Sequence, residues 1–315
     1  MERWLNDERN ARVYAVLGAA AIAFSSILVR LSHASPSTAA IFRCAYALPV
    51  LGLLAWLEDR RLGSRPWGER RFAVGAGVFF AADLILWHHS IGDIGAGLAT
   101  VLANVQVVLV PLTAWIWLSE RPGRQVLAAL PLALLGVVLI SGVLEHGAYG
   151  HEPTRGAIFG IAAGIAYVGF LLLLRRSGAD TRRPAGPLFD ATATATVLCV
   201  IAGEIIGDAH LVPSWPGAGW LIVLALTSQV LGWLLITISL PRLPAAMTSL
   251  LLTIQPVGSV GLAALILSEA PSGLQLLGVA LVLAGLLVAT TPRRRVRVPA
   301  STTALARPGS ASRLE

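Results

Sequence analysis

Ten stretches of this chain stay apolar for about the 20 residues that a helix needs to cross a bilayer. They run over residues 11–31, 39–57, 72–91, 97–118, 126–143, 156–174, 188–206, 220–240, 245–267 and 274–290. No packing scheme for a water-soluble domain uses so many continuous apolar runs. Barrel strands are excluded as well, because they alternate in polarity and are about half as long. The chain is 56% hydrophobic and only 13% charged, with a mean hydropathy of +0.73; a soluble domain carries roughly 25% charged residues. The expected fold class is therefore an all-α integral membrane protein with ten transmembrane helices.

Two of these pairs of stretches repeat one another. Residues 96–142 and 245–291 align without a gap at a shift of 149, with 13 of 47 positions identical. Gln106 falls on Gln255, Leu118-Ser119-Glu120 on Leu267-Ser268-Glu269, Pro122 on Pro271 and Gly136 on Gly285. At a shift of 143, Arg12, Ala19, Ala20, Ala23 and Leu28 match Arg155, Ala162, Ala163, Ala166 and Leu171, which carries the duplication back to the first stretch. The chain accordingly divides into residues 1–10 as a short leading segment, 11–143 and 155–291 as two five-helix repeats, 144–154 as a linker, and 292–315 as a basic, disordered tail. An odd number of spans per repeat turns the second copy upside down. The charges agree: Arg121 and Arg124 have uncharged counterparts in Ala270 and Gly273, and Asp93 has Arg242. Arg12 and Arg155 break that pattern.

The chain has no lysine, and its 24 basic residues are all arginines. With the first end inside, 21 of them fall on cytoplasmic segments, against Arg30 and Arg155 outside and Arg43 within a span. The positive-inside rule then puts both termini in the cytoplasm. The Arg, Ala, Gly and Leu usage fits a GC-rich bacterial genome better than a nucleic-acid surface. Arg293, Arg294, Arg295 and Arg297 are expected to lie against anionic headgroups. Cys44 and Cys199 fall inside spans and read as small packing residues. A cleaved leader is not expected, since the first apolar stretch has a counterpart in the second half.

An ionised side chain near mid-bilayer costs about 2.5–3.5 kcal/mol on insertion scales, so each needs a partner or a purpose. Arg43 and Asp83 differ in depth by roughly 6 Å at 1.5 Å per residue, within an arginine's reach. They read either as a structural ion pair or as an exchange site where Asp83 takes a proton or a solute ammonium. Phe79, Phe80, Trp87 and Ser90 share the helix face of Asp83, a pattern that suits a cation-reading wall or an interfacial aromatic helix. His88 and His89 read as wetted interfacial residues. Thr100 and Asn104 form a polar stripe in the fourth span, and Ser249, Thr253 and Pro256 form its match in the ninth. With Tyr167, Gln229 and Trp233 they make a candidate midplane site; each alone could equally be an interhelical hydrogen bond worth about 0.6 kcal/mol. Gly156, Gly160 and Gly164 recur every four residues and read as helix packing rather than ligand contact. Glu120 and Glu269 invite a catalytic reading, but each precedes a proline, Pro122 or Pro271, that can open the next helix. They are better read as caps of a helix hairpin.

Two five-span halves, each with a penultimate span ending in Leu-Ser-Glu-x-Pro and a last span carrying Gly136 or Gly285, resemble the drug/metabolite transporter superfamily, EamA type. Pro111, Pro256 and Arg43 fit the same pattern. The resemblance covers residues 12–291 and implies a ten-helix secondary transporter, often an exporter of amino acids or other small metabolites. It also implies a central cavity lined by the first, third, fourth, sixth, eighth and ninth spans. The expected partners are a small-molecule solute, protons as a coupling ion, anionic lipid and, as a candidate assembly, a homodimer. No nucleic acid, cofactor or metal is expected. A receptor-like or structural membrane protein is the alternative; an intramembrane enzyme is a weaker one, since no catalytic motif is present.

Overall fold

The computed structural model of the chain describes residues 8–107, 109, 124–178, 182–239 and 254–290. Among these residues every regular element is helical. Helices α1 (Glu8–Ala23) and α2 (Ser25–Ser32) run on as one apolar rod, and α3 (Pro36–Ala45) and α4 (Leu48–Leu62) as another. The second rod breaks where Pro49 brings no N–H for the carbonyl of Ala45, the usual effect of an interior proline. Next come α5 (Trp67–Ile94), α6 (Ala96–Ala103), α7 (Arg124–Ile140), α8 (Pro153–Ser177) and α9 (Ala185–Ile206). A further rod joins α10 (Gly217–Leu224), a π-helical segment (Ala225–Gly232) and α11 (Trp233–Ser239); α12 (Ile254–Leu267) and α13 (Gly273–Thr290) close the described chain. Among the described residues six rods are long and apolar enough to cross a membrane, and α7, α12 and α13 are shorter apolar helices.

Several boundaries differ from the hydropathy reading. Helix α5 covers 28 residues because Gly-Glu-Arg-Arg at its start continues the helix past the apolar stretch. Helix α8 starts at Pro153, inside the expected linker, since proline suits the first helical turn. The fourth stretch begins as α6, but most of its length lies outside the described residues. So do Ser249, Thr253, Glu120, Pro122 and the basic tail.

The helices pack across the sequence midpoint. Helix α8 lies along α5, α13 along α7, α9 along α3 and α4, α12 against α6, and α11 with the π segment against α1. Each pairing joins a helix from before residue 144 to one from after it. Small residues set the separations. A Cβ added to Gly136 would sit 2.6 Å from the Gly278 carbonyl oxygen, and one on Gly278 2.7 Å from that of Gly136, so α7 and α13 touch through their backbones. The glycine stripe of α8 packs likewise: Gly156 on Ile94, Gly160 on Leu102 and Gly164 on the Ala103 carbonyl.

Carboxylates tie helix starts to helices of the other half. Glu58, near the end of α4, accepts from the N–H groups of Ala185 (2.9 Å) and Gly186 (2.8 Å) at the start of α9. In return Asp208, just past the end of α9, accepts from Ser37 N–H (3.1 Å) at the start of α3. Glu269, past the end of α12, accepts from Ala96 N–H (2.8 Å) and Gly97 N–H (3.2 Å) at the start of α6. In all three cases a negative group meets the positive end of a helix dipole and satisfies N–H groups that have no partner in the helix.

Glu269 therefore caps a helix, but not the one its own hairpin opens. That helix, α13, begins at Gly273, two residues after Pro271, with a capping box: Ser272 Oγ accepts from Gln275 N–H (3.1 Å) and Gln275 Oε1 accepts from Ser272 N–H (3.0 Å). This reciprocal pair occupies the N-terminus and leaves the carboxylate free to cross to α6.

Candidate functional site

Between the rods lies a partly open cavity of about 60 Å³, several times the space one water needs. Ile22 of α1, Arg43 of α3 and Phe80, Asp83, Leu84 and Trp87 of α5 line one side. Thr100, Ala103, Asn104 and Gln106 on and just past α6, Tyr167 of α8, Trp233 of α11 and Gln255 of α12 complete it. On the numbering of the apolar stretches in the sequence, these are the first, second, third, fourth, sixth, eighth and ninth.

Aromatic rings build the cavity's stiff wall. Phe80 stacks on Phe170 at 4.4 Å, Trp233 stands edge-on to Phe170 at 5.1 Å, and Tyr167 lies 5.8 Å from Trp233. Such offset and edge contacts add to the burial of large apolar area. Trp87 closes the other side, its ring 5.6 Å from the Arg43 guanidinium.

Arg43 is buried and held by neutral oxygens. Its Nε donates to Gln229 Oε1 (3.0 Å) and its Nη1 to Ser25 Oγ (3.0 Å), while Gln229 Nε2 donates on to Thr192 Oγ1 (3.2 Å). Gln229 sits in the π segment, whose widened turn brings its amide toward α3; such segments recur at functional sites. Gln229 thus supports the cavity from behind rather than lining it. The expected direct pair of Arg43 with Asp83 does not form: among the described residues Asp83 has neither an ion pair nor a hydrogen bond. Depth along the bilayer had brought the two within reach, but the fork of Arg43 is turned toward α2 and the π segment instead. Asp83 is 7% exposed and faces the cavity.

Thr100 donates to the Ala96 carbonyl (2.8 Å) and Asn104 Nδ2 to the Thr100 carbonyl (2.8 Å), as polar side chains in helices do. Ser259 of α12 joins Ser26 Oγ (2.6 Å) and Thr100 Oγ1 (3.1 Å), linking three helices beside the cavity. His88 is buried, with Nδ1 against the Leu84 carbonyl at 2.5 Å, and is not a wetted interfacial residue.

The structure brings together Asp83, Trp87, Thr100, Asn104, Tyr167, Trp233 and Arg43 around one space. It adds Gln106 and Gln255, whose identity across the repeat was visible in the sequence but was not read as part of a site. Gln106 lies against the Tyr167 hydroxyl. Among the described residues no group of three His, Cys, Asp or Glu side chains is placed to hold a metal.

Packed apolar rods around a polar, charge-bearing cavity define a polytopic helical membrane protein. The model of the EamA-like transporter family matches residues 10–142 and again residues 154–291. The chain belongs to the EamA-like transporter family, within the drug/metabolite transporter superfamily, and is a membrane transporter. A protein of Synechocystis sp. described as an uncharacterized transporter is 24% identical over 265 residues, covering 77% of this chain and 75% of its own. A crystal structure with 17% sequence identity superposes with a TM-score of 0.61, covering 92% of this chain and 100% of the other. That likeness is one of fold.

Proposed function

We propose that this protein is a secondary transporter that exports a small organic solute, an amino acid or a relative of one, across the cytoplasmic membrane of a bacterium. It works by alternating access around the cavity, with both termini in the cytoplasm and ten spans arranged as two inverted five-helix repeats. The observation that carries this reading is the Asp83 carboxylate, buried at the cavity wall with no hydrogen-bond or ion-pair partner among the described residues. A carboxylate so placed is stabilised by a proton or by a cationic group brought to it. Trp87 and Tyr167 flank it as faces for such a cation, and Thr100, Asn104 and Trp233 supply polar contacts, with Gln229 positioning Arg43. Ser249 and Thr253 join the same site from the ninth span in this reading.

The helix pairings across the midpoint, and the carboxylate caps exchanged between the α3–α4 rod and α9, support the inverted repeat. Cysteines placed at Pro122 and Pro271 are expected to label from opposite membrane faces; labelling from one face breaks the ten-span reading.

Flux of solutes into proteoliposomes tests the transport reading, and comparison of media from cells with and without the protein tests its direction. If Asp83 exchanges protons for solute, Asp83→Asn abolishes the dependence of flux on a pH gradient. Unchanged gradient dependence removes Asp83 from the coupling role.

A further inference from the structure

We infer that Gln106 and Gln255 form the specificity-determining pair of the cavity, and that the solute they select carries a carboxylate or carbonyl oxygen beside its ammonium group. This rests on the transport reading above. The two glutamines are one residue in duplicate, falling on each other at the shift of 149. They come from opposite halves of the chain and line the same cavity. Gln106 is 9% and Gln255 6% exposed, and among the described residues each keeps one amide atom without a partner: Oε1 of Gln106 and Nε2 of Gln255.

The alternative is a structural bond between the two amides. No hydrogen bond joins the two amides among the described residues, and the acceptor of one and the donor of the other stand unpaired. Buried amide groups are nearly always paired, and those that are not call for an explanation. Trp233 adds a third such atom, its buried Nε1 donor, on the same wall. Among the described residues the cavity's lining residues thus hold two acceptors without a partner, Asp83 and Gln106 Oε1, and two donors, Gln255 Nε2 and Trp233 Nε1; in this proposal the first two turn to an ammonium and the second two to an oxygen. A site built with such groups rejects an analogue that leaves them unpaired far more strongly than a merely apolar pocket would.

The test uses the full chain in proteoliposomes with two probes, alanine and ethylamine, which share the ammonium and differ in the carboxylate. The unaltered protein is expected to take up alanine with at least about 10-fold higher kcat/KM than ethylamine, a gap of about 1.4 kcal/mol. Gln255→Leu brings the ratio toward one while ethylamine uptake persists, which also shows that the variant is folded. Should Gln255→Leu fail to fold, Gln106→Glu and Gln255→Glu decide the matter. The first keeps an acceptor and retains alanine uptake; the second replaces a donor with a negative charge and loses it. Equal behaviour of the two glutamate variants, or no preference for alanine in the unaltered protein, overturns the proposal. Uptake of ethylamine without that preference leaves the transport reading standing, whereas absence of any solute flux across a wider panel removes both.

Discussion

Asp83 and Glu269 are both buried carboxylates in the same bundle, 7% and 5% exposed, and they are used in opposite ways. Glu269 spends both oxygens on the backbone N–H groups of Ala96 and Gly97. Those bonds are charge-assisted and sit at a helix N-terminus, where a negative charge is favoured. Asp83, on α5, has nothing of the kind among the described residues and opens to the cavity. Burial alone therefore does not mark a functional acid. What separates the two is whether the protein has already supplied the partner: a satisfied carboxylate holds helices together, and an unsatisfied one is available to a proton or a solute.

The strongest way to break this comparison is Asp83→Asn. Transport of the cationic solute is expected to fall by about 100-fold, equivalent to about 2.7 kcal/mol, while thermal stability in detergent is kept or raised. Among the described residues Asp83 has no hydrogen bond or ion pair to lose, so the variant sheds a desolvation penalty and gives up only the longer-range attraction to Arg43. A large loss of stability in this variant would put Asp83 among the structural acids.

Glu269→Ala should do the reverse. It leaves two helix N–H groups without their acceptor, and a loss of about 1–3 kcal/mol of stability is expected from thermal unfolding, with binding of solute at the cavity retained. Gly95→Ala attacks the same contact from the other partner. Gly95 has φ +93 and ψ 164, a region used almost only by glycine, and a side chain there costs about 1–3 kcal/mol. Its Cβ would also stand 2.8 Å from Glu269 Oε2. The backbone strain remains in the double variant, but the clash of the new Cβ with the carboxylate disappears with Glu269, so the double variant should lose less than the sum of the two single losses. Simple addition would mean that Glu269 and Gly95 act separately.

Much of this arrangement could be read from the residues. Asp83 and Trp87 are four apart on one helix, as are Thr100 and Asn104, and helical periodicity is enough to put each pair on one face. Tyr167 was drawn in by its alignment with Phe24 of the first span, and Trp233 only by lying within the eighth. The cap made by Glu269 was not legible in the same way. Local reasoning assigned it to the next helix, whereas its partners lie 172 and 173 residues away. Ser272 and Gln275 were the local signal that the next helix had its own cap. Arg43 and Asp83 failed as a pair for a related reason. Hydropathy gives depth along a helix but not the direction in which a long side chain turns, and Gln229 in the π segment lay closer to the guanidinium. Gln106 and Gln255 were visible as a repeated identity, but apolar neighbours on both sides hid that they face a common space.

The smallest effects are expected where the same kind of cap is wetter. Glu58 and Asp208 tie α4 to α9 and α9 to α3 as Glu269 ties α12 to α6, but both are partly exposed. Water can replace a lost cap there, so Glu58→Ala and Asp208→Ala should each cost about 0.5–2 kcal/mol, the ordinary range for a helix N-cap, and less than Glu269→Ala. Between the two, Glu58→Ala should be the larger. Glu58 satisfies the N–H groups of both Ala185 and Gly186. Asp208 reaches only that of Ser37, because the preceding residue is Pro36 and has no N–H to offer. Unfolding midpoints measured side by side check the order Glu269, Glu58, Asp208. If Asp208→Ala proves as costly as Glu269→Ala, then burial is not what grades these contacts.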